Sequence, residues 1–439
     1  MARKRRAGKR KLEIRLHGRA AHAAAALFGV CLLAALVVGC VLYSREPRPE
    51  PLPERFKPTP LAALDRLEGW VPSWTDESKV ATEAAAAGFT DLLFFHGTVD
   101  EQGVVSLEDT AGLEKGRNTA VLKAVRTWLT VTNHGKSLEG ALGRGRLKAH
   151  ADSLIAAFQA SACQHLDLDY ETLTTAQANA LPELAELLAS RLGYGTRLSF
   201  TLQPVDSALR PEQIDAISRL LRAEQVYTVR FMMYDYHWSS SLPGALCPID
   251  AYTRILEQWS RQAHKLTMCL PLYGYDWPRP DDTTIPKAKS VTLADSARLA
   301  QHPAFEAAWM SSEAELACRY HGQWVALPSF RATTRRVETA LEYGVPAVSY
   351  WHLGCGRLGD VANASKRGAS VPEAVEYREL AGWDEWLVPF KRRVCTVVTG
   401  DGRTLEQYGQ AHGVSRGAMF RFNEHITNGT TGKDVYIPK

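Results

Sequence analysis

Strand-like runs and helical stretches alternate eight times between residues 69 and 354, and this alternation constrains the fold more than any other feature of the chain. The runs are apolar, aromatic or β-branched, whereas the stretches between them are rich in Ala, Leu, Glu and Arg. Alternation of this kind builds parallel sheets, and eight repeats predict an α/β protein with a closed (β/α)8 TIM barrel. The predicted strands are Gly69–Trp74, Asp91–Gly97, Thr127–Asn133, His165–Glu171, Arg197–Gln203, Val229–Tyr236, Lys265–Gly274 and Pro346–Gly354.

Two further parts are predicted outside the regular alternation. The longest gap, between the seventh and eighth predicted strands, contains Ala314–Phe330, which we expect to form a small inserted α+β hairpin region beside the barrel mouth. The tail, residues 393–439, predicts the order strand, helix, turn, helix, strand. We therefore assign residues 67–390 to the barrel and residues 391–439 to a small C-terminal βααβ module.

Positive charge is concentrated at the start of the chain. Residues 1–19 carry nine Lys or Arg and one Glu, a surplus of +8, so the net charge of +4 leaves −4 for the remainder. Because the body is mildly acidic, the sequence gives no support for a nucleic-acid partner.

A long apolar stretch, residues 20–43, follows the basic segment and contains no Asp, Glu, Lys or Arg. It is long enough to cross a bilayer, and its basic flank is predicted to stay in the cytoplasm, which places the body in the periplasm or cell envelope. The alternative is a lipoprotein signal, because Val37–Cys40 resembles a lipobox in which Cys40 becomes the lipidated N-terminus. In both cases the Pro-rich residues 44–66 are predicted to form an extended linker.

The cysteines give little support for metal chemistry. Two of the eight lie in the apolar stretch, and the other six have neither a CxxC pair nor a His at ligand spacing. We predict no metal site and no cofactor, and we interpret the six as isolated buried thiols. In an oxidising compartment some of them can pair, in a connectivity that the sequence does not give. The six are Cys163, Cys247, Cys269, Cys318, Cys355 and Cys395.

The fourth predicted strand, HLDLDYE, carries an acid at every second position. Alternate residues of a strand share one face, so Asp167, Asp169 and Glu171 are predicted to project together into the barrel mouth. Crowding and burial favour a protonated form of at least one carboxyl group, which gives the acid and charged neighbour that glycosidic cleavage needs. A solvated edge-strand face and a calcium site are the alternatives, and both are disfavoured by the fourth place among eight strands.

Several motifs together resemble the family 18 glycoside hydrolases, the chitinases and their relatives. LDLDYE resembles their DxxDxDxE signature, MMYD (Met232–Asp235) their MxYD motif on the sixth strand, and Tyr350–Trp351 the end of the eighth strand. The wider strings PLYGYDW (Pro271–Trp277) and YWHLG are similar to the branch of spore-cortex-lytic N-acetylglucosaminidases. The resemblance covers residues 67 to about 356 and implies substrate-assisted, retaining hydrolysis of β-linked N-acetylglucosamine glycans.

The resemblance implies roles for four catalytic residues. Glu171 would be the general acid, which later activates water, and Asp169 would orient the substrate's N-acetyl group and stabilise the oxazolinium ion. Asp167 would pair with Asp169 and share its proton. Tyr234 would donate a hydrogen bond to the attacking acetyl oxygen.

Four substrate-binding residues follow from the same resemblance. Met232 and Asp235 would line the subsite, Trp351 would form its floor, and Tyr273 would lie on its wall. A flat indole suits the apolar face of a pyranose ring.

Some residues depart from the family pattern or allow two interpretations. The first Asp of the signature is Gln164 in this chain; it is the signature position farthest from the chemistry, so we expect altered tuning rather than lost activity. Trp70, Trp74 and Trp238 are interpreted either as further sugar platforms or as core residues.

The tail resembles a LysM module, a domain that binds N-acetylglucosamine-containing glycans. The matching pieces are Thr399–Asp401, Tyr408–Ser415, Asn423 and Val435–Lys439. The alternative is a small packing domain without a ligand.

The sequence therefore predicts a membrane-tethered glycoside hydrolase that acts on peptidoglycan, with neither cofactor nor nucleic-acid partner. One alternative is a catalytically inactive chitinase-like protein that binds glycans, which the intact Glu171 disfavours. The other is a chitinase that acts on chitin. Endo or exo action and the oligomeric state stay open at this point.

Overall fold

The computed structural model describes residues 58–203, 211–278, 287–423, 425–426 and 429–439. All of them fall in one compact unit of the chain. The predicted basic segment, the apolar stretch and most of the predicted linker lie outside the described residues. Within the described ranges, no helix combines the length and the apolar character that crossing a bilayer requires.

Eight parallel strands close into a barrel, which confirms the predicted fold. Each strand pairs with the next one along the chain, and the first strand pairs with the eighth as well as with the second. All eight predicted strands are present, with ends that differ from the predicted ones by a few residues. The barrel strands are β1 (Arg66–Pro72), β2 (Asp91–Val99), β3 (Arg126–Thr132), β4 (His165–Asp169), β5 (Leu198–Leu202), β6 (Val226–Met232), β7 (Leu266–Pro271) and β8 (Ala347–Trp351).

Helices connect the strands and cover the outside of the barrel. The first helix has a capping signal at each end: Asp76 caps its start through the amide of Lys79, and Gly88 ends it with a φ of 93° that glycine adopts without strain. The helices of the barrel region are Glu77–Ala87, Thr110–Leu122, Glu139–Leu142, Leu147–Ser161, Thr175–Ala189, Pro211–Arg222, Ile249–Gln258, Phe330–Glu342 and Leu358–Ala364, with 3-10 turns at Ser260–Lys265 and Leu353–Cys355. A short strand, Val105–Leu107, pairs antiparallel with the carboxyl end of β2.

Alternate residues of β4 divide between two environments. Leu166 and Leu168 are fully buried in the apolar layer between the strands and the helices. Asp167 and Asp169 are also buried but project to the opposite face, into the barrel interior. The period of two in the sequence therefore places the acids where a (β/α)8 barrel carries its site.

The region between β7 and β8 is larger than the predicted hairpin. The expected pair is present as the antiparallel strands Glu315–Tyr320 and Gln323–Leu327, but it forms the middle of a six-stranded sheet. Its strand order is Lys289–Thr292, Tyr273–Trp277, Gln323–Leu327, Glu315–Tyr320, Glu306–Met310 and Arg378–Leu380. A short helix, Leu293–Leu299, lies in the same insertion.

The tail has the predicted order of strand, helix, helix and strand. Its two strands, Cys395–Thr399 and Asp434–Pro438, pair antiparallel, with helices Leu405–His412 and Arg416–Phe422 between them in sequence. A helix at Asp384–Val394 runs across the boundary that the sequence places between residues 390 and 391. The end of the predicted linker also lies against the barrel, where the amide of Leu61 donates to the carbonyl of Leu341.

Candidate active site

A cavity of about 390 Å³ opens at the carboxyl ends of the barrel strands. Its described lining includes seven of the eight residues that the motifs predict, namely Asp169, Glu171, Met232, Tyr234, Asp235, Tyr273 and Trp351. These residues come from β4, β6 and β8 and from the segments that follow β4, β6 and β7. The eighth, Asp167, lies buried beneath the cavity and is absent from its described lining.

Asp167 is held inside the barrel by donors from the two adjacent strands, β3 and β5, and from β6. Its carboxylate accepts hydrogen bonds from Ser199 at 2.7 Å, from Thr201 at 3.0 and 3.1 Å, and from Thr130 at 3.1 Å. Arg230 donates to Oδ1 at 3.0 Å. Burial raises the pKa of Asp167, and Arg230 and the hydroxyl donors offset only part of this rise.

Asp169 has far fewer partners. It is 4% exposed, and its Oδ1 has no hydrogen-bond partner among the described residues. Burial, together with the charges of Glu171 and Asp167, raises the pKa of Asp169 well above its usual value. Asp169 therefore holds a proton more readily than Asp167, which has a cation beside it.

Glu171 lies just beyond the end of β4, with its backbone fixed by a side chain of the preceding strand's loop. Its amide donates to Oδ1 of Asn133 at 2.9 Å, and Nδ2 of Asn133 donates to its carbonyl at 3.1 Å. Nε2 of Gln203 donates to Oε2 of Glu171 at 3.1 Å. Burial and then the charge of Asp235 raise the pKa of Glu171, which suits a general acid at neutral pH.

Asp235 faces the cavity from the segment after β6. Its backbone has a φ of 58°, in the left-handed region that Asp tolerates better than most residues. The hydroxyl of Tyr273 donates to its Oδ1 at 2.6 Å, which joins two of the predicted substrate-binding residues. Burial raises the pKa of Asp235.

Aromatic rings form much of the cavity wall around Trp351. The ring of Trp351 makes edge contacts with Phe95 at 4.9 Å, with Trp70 at 6.0 Å and with Trp74 at 6.2 Å between centroids. Trp70 is buried and Trp74 is 60% exposed, and both line the cavity. The peptide bond between Trp351 and His352 is cis.

Tyr234 and Met232 complete the predicted set on the side of β6. Burial raises the pKa of Tyr234 well above its usual value, so its hydroxyl stays protonated and can donate a hydrogen bond at neutral pH. Its ring contacts that of Tyr273 at 6.2 Å. Met232 is 6% exposed and contributes apolar surface to the same wall.

The sequence interpretation missed several residues that the fold brings to the site. Phe95, His134, Thr201 and Gln203 line the cavity. Phe95 lies in the middle of β2, and the other three lie near or just beyond the ends of β3 and β5, strands that were predicted without a motif. Arg230 lies in the middle of β6 as a single charge among apolar neighbours. A buried charge in a barrel strand was the available signal for Arg230.

Of the three tryptophans that were interpreted as either sugar platforms or core residues, Trp238 lies outside the cavity. Trp238 is 51% exposed and is not among the described lining residues of the cavity. Gln164 lies at the opposite end of β4, where its side chain accepts a hydrogen bond from the amide of Thr127 at 3.0 Å. The departure from the signature at Gln164 is therefore remote from the acids.

Within the described ranges, the six predicted buried thiols are buried and form no disulfide.

Comparisons with known proteins agree with this architecture. No family model matches the chain. The chain is 24% identical over 199 residues to the cortical fragment-lytic enzyme of Bacillus cereus, a match that covers 43% of this chain and 46% of that protein. The chain thus spans about half the length of this curated relative.

Two solved structures have the same barrel. The spore cortex-lytic enzyme SleL of Bacillus cereus aligns with a TM-score of 0.57 at 20% identity, over 74% of this chain and 77% of that one. A GH18 chitinase variant of Cycas revoluta, solved in complex with (GlcNAc)4, aligns with a TM-score of 0.57 at 14% identity, over 69% of this chain and 99% of that one. The similarities confirm the predicted resemblance to GH18 chitinase-like, spore-cortex-lytic proteins, whereas the LysM resemblance of the tail stays a prediction.

Proposed function

We propose that this chain is a retaining glycoside hydrolase that cleaves β-linked N-acetylglucosamine glycans at the cavity around Glu171. The observation that carries the proposal is one constellation: Glu171 and the partner-poor Asp169 face the same aromatic cavity, and both have raised pKa values. The cavity volume of about 390 Å³ lies in the range of small-molecule sites, so it can hold a sugar unit.

The chemistry follows from the placement of these groups. Glu171 gives its proton to the glycosidic oxygen while the bond from that oxygen to the anomeric carbon breaks. The carbonyl oxygen of the substrate's own acetamide attacks the anomeric carbon and forms an oxazolinium ion. Glu171 then takes a proton from water. The water oxygen attacks the anomeric carbon on the face that the leaving group occupied, and the bond from that carbon to the acetamide oxygen breaks. The β configuration is therefore retained, and Glu171 regains its proton.

Neighbouring side chains assist this sequence. Asp169 orients the acetamide by a hydrogen bond, the single negative charge of the buried Asp167–Asp169 pair stabilises the cationic ring, and Tyr234 donates a hydrogen bond to the acetyl oxygen. Trp351 supports the apolar face of the sugar from the floor of the cavity. None of these groups needs to form a covalent bond to the substrate.

Peptidoglycan is the substrate that we favour. The similarity to proteins named for lysis of spore cortex supports it, and so do the predicted envelope location and the LysM-like tail. In this proposal the tail binds glycan and raises the substrate concentration near the barrel, and residues 20–43 tether the protein to the membrane, either as an anchor or through a lipidated Cys40.

Digestion of purified peptidoglycan and of chitin oligomers by the full-length chain tests the proposal. We expect new reducing ends, and mass spectrometry of the products identifies the bond that is cleaved in each substrate. Glu171→Gln should lower turnover by roughly 10²- to 10⁴-fold, the usual contribution of a general acid. Glu183→Gln, at an exposed glutamate on helix Thr175–Ala189, is the matched control and should turn over normally.

The outcomes separate the candidate functions. Faster cleavage of chitin oligomers than of peptidoglycan would identify a chitinase instead. Tight glycan binding without any new reducing ends would identify the inactive glycan-binding alternative. Full activity of Glu171→Gln would contradict the assignment of the general acid.

A further inference from the structure

Beneath the cavity, four buried side chains of alternating charge form a continuous row of ion pairs. Nε of Arg66 donates to Oε1 of Glu68 at 2.8 Å, and Nε of Arg230 donates to Oε2 of the same carboxylate at 2.8 Å. Arg230 then reaches Asp167 through Nη1 at 3.0 Å. Arg230 and both of its acidic partners are 0% exposed. This row of ion pairs runs from β1 through β6 to β4, the strand that carries Asp167 and Asp169.

The guanidinium of Arg230 is held on several sides. Nη1 also donates to the hydroxyl of Ser199, which is itself a donor to Asp167. The guanidinium carbon lies 4.7 Å from the ring centre of Trp128. Burial alone lowers the pKa of Arg230, but the charges of Glu68 and Asp167 outweigh it and raise that pKa. Arg230 is therefore a fixed cation at the bottom of the site.

The two aspartates of β4 consequently differ in their surroundings. Asp167 receives hydrogen bonds from a cation and three hydroxyl groups, all of which favour a carboxylate. Asp169 has no cation in contact with its Oδ1, and that oxygen is unpartnered among the described residues. A proton that has to reside on one of the two is therefore more stable on Asp169.

We infer that Arg230 is a positioning residue that keeps Asp167 ionised, so that the proton of the buried pair stays on Asp169. The inference rests on the proposed function, because it assigns the protonation states with which that reaction begins. An ionised Asp167 places a negative charge near Asp169, and this charge adds to the effect of burial that raises the pKa of Asp169. Turnover then requires the ionised form of Asp167, and the loss of that form sets the acidic limb of the pH–rate profile.

Two substitutions in this row of ion pairs should shift the acidic limb of the pH–rate profile in opposite directions. Arg230→Met removes the cation at similar length, so Asp167 becomes protonated at a higher pH and the acidic limb of kcat/KM should move up by about one pH unit or more. Glu68→Gln leaves Arg230 with Asp167 as its one acidic partner in this chain of charges, so the acidic limb should move to lower pH. The two profiles are measured on the full-length protein with a β-linked N-acetylglucosamine oligomer.

Arg66→Met is the matched control. Arg66 is a buried arginine that contacts the same Glu68 but reaches Thr267 rather than Asp167 with its Nη2, at 3.2 Å. Its substitution removes a buried charge and lowers thermal stability, but it should leave the acidic limb near its wild-type position. A role of Arg230 in stability alone would make the Arg66 and Arg230 variants behave alike.

A double-mutant cycle of unfolding tests the contact independently of activity. Arg230→Met and Asp167→Asn, singly and together, should be non-additive, with a coupling on the order of a tenfold change in the unfolding equilibrium. Additive effects, or an acidic limb that stays in place in both Arg230→Met and Glu68→Gln, would overturn the inference. Wild-type protein that releases no reducing ends would contradict the proposed function instead, and the cycle would still decide on Arg230.

Discussion

Tyr273 and Asp235 are joined by a hydrogen bond of 2.6 Å, in which the phenol donates to the carboxylate oxygen Oδ1. Tyr275 donates to the same oxygen at 3.2 Å. The two donors favour the ionised form of Asp235, against the burial that raises its pKa. The charge of Asp235 contributes in turn to the raised pKa of Glu171. The pair therefore tunes the proposed general acid.

Asp235→Asn should shift the basic limb of the pH–rate profile to lower pH. The general acid works only while it is protonated, and the loss of a neighbouring negative charge lowers the pKa of Glu171, by about one unit. Turnover at neutral pH should fall accordingly. Asparagine also tolerates the left-handed backbone of this position, so the fold should be kept.

The control for this substitution is Asp276→Asn. Asp276 also accepts a hydrogen bond from a phenol, Tyr320, at 2.6 Å, but it is not among the described lining residues of the cavity. Measurement of kcat/KM against pH for both variants should give a shift for Asp235→Asn alone. An unmoved basic limb in Asp235→Asn would show that its charge does not act on Glu171.

Trp351→Ala should weaken substrate binding because it removes the floor of the cavity. We expect KM for a short N-acetylglucosamine oligomer to rise roughly tenfold, the factor that corresponds to about 1.4 kcal/mol. Trp238→Ala is the control, since Trp238 is an exposed indole outside the described lining. Steady-state kinetics compare the two variants, and equal KM values would remove Trp351 from the sugar site.

Phe231→Ala should destabilise the barrel by about 3–5 kcal/mol, since it opens a cavity in a well-packed layer. The ring of Phe231 is fully buried and stacks on Trp259 with centroids 4.8 Å apart. Tyr194→Ala, at a fully exposed ring, should change the free energy of unfolding by less than about 0.5 kcal/mol. Denaturant titration measures both, and a small loss for Phe231→Ala would contradict the packing.

Asn423→Ala should impair the tail and spare the barrel. The side chain of Asn423 donates to the carbonyls of Met419 and Tyr436 and accepts from the amide of Tyr436, all at 2.7 Å. Its loss leaves buried backbone groups unpaired. Sedimentation with insoluble peptidoglycan should show weaker retention, while the rate on short soluble oligomers should stay unchanged.

Gln410→Ala, at an exposed position of the first tail helix, is the control for the tail. It should be retained on the glycan like the wild-type protein. Unaltered retention of Asn423→Ala, provided that the tail is shown to be unfolded in that variant, would argue for a packing domain without a ligand.

The barrel could be predicted because its strands carry their own patterns. β4 alternates apolar residues with acids, so both its existence and the orientation of Asp167 and Asp169 follow from the period of two. The inserted sheet could not be predicted in full, because Tyr273–Trp277 follows β7 directly and reads as its continuation. The break falls at Leu272, whose amide donates instead to the carbonyl of Trp351, a contact with β8 that local sequence does not encode.

The site was predictable where it lies in motifs and not where it depends on distant pairing. Each of the eight named residues reaches the cavity or the layer directly beneath it. Arg230 was missed because the role of a lone charge in a strand can be inferred only when its ionic partner is known. That partner, Glu68, is 162 positions away in the sequence. Gln203 was missed for a similar reason, since its contact with Glu171 arises only when β4 and β5 pair.

The anomeric configuration of the first product tests the central claim most directly. Proton NMR during cleavage of a β-linked N-acetylglucosamine oligomer by the full-length chain resolves the α and β anomers of the new reducing end before they interconvert. Attack by the substrate's own acetamide, with Glu171 as acid and then base, predicts that the β anomer appears first. An α anomer that appears first would contradict the account, because it would require direct displacement by water.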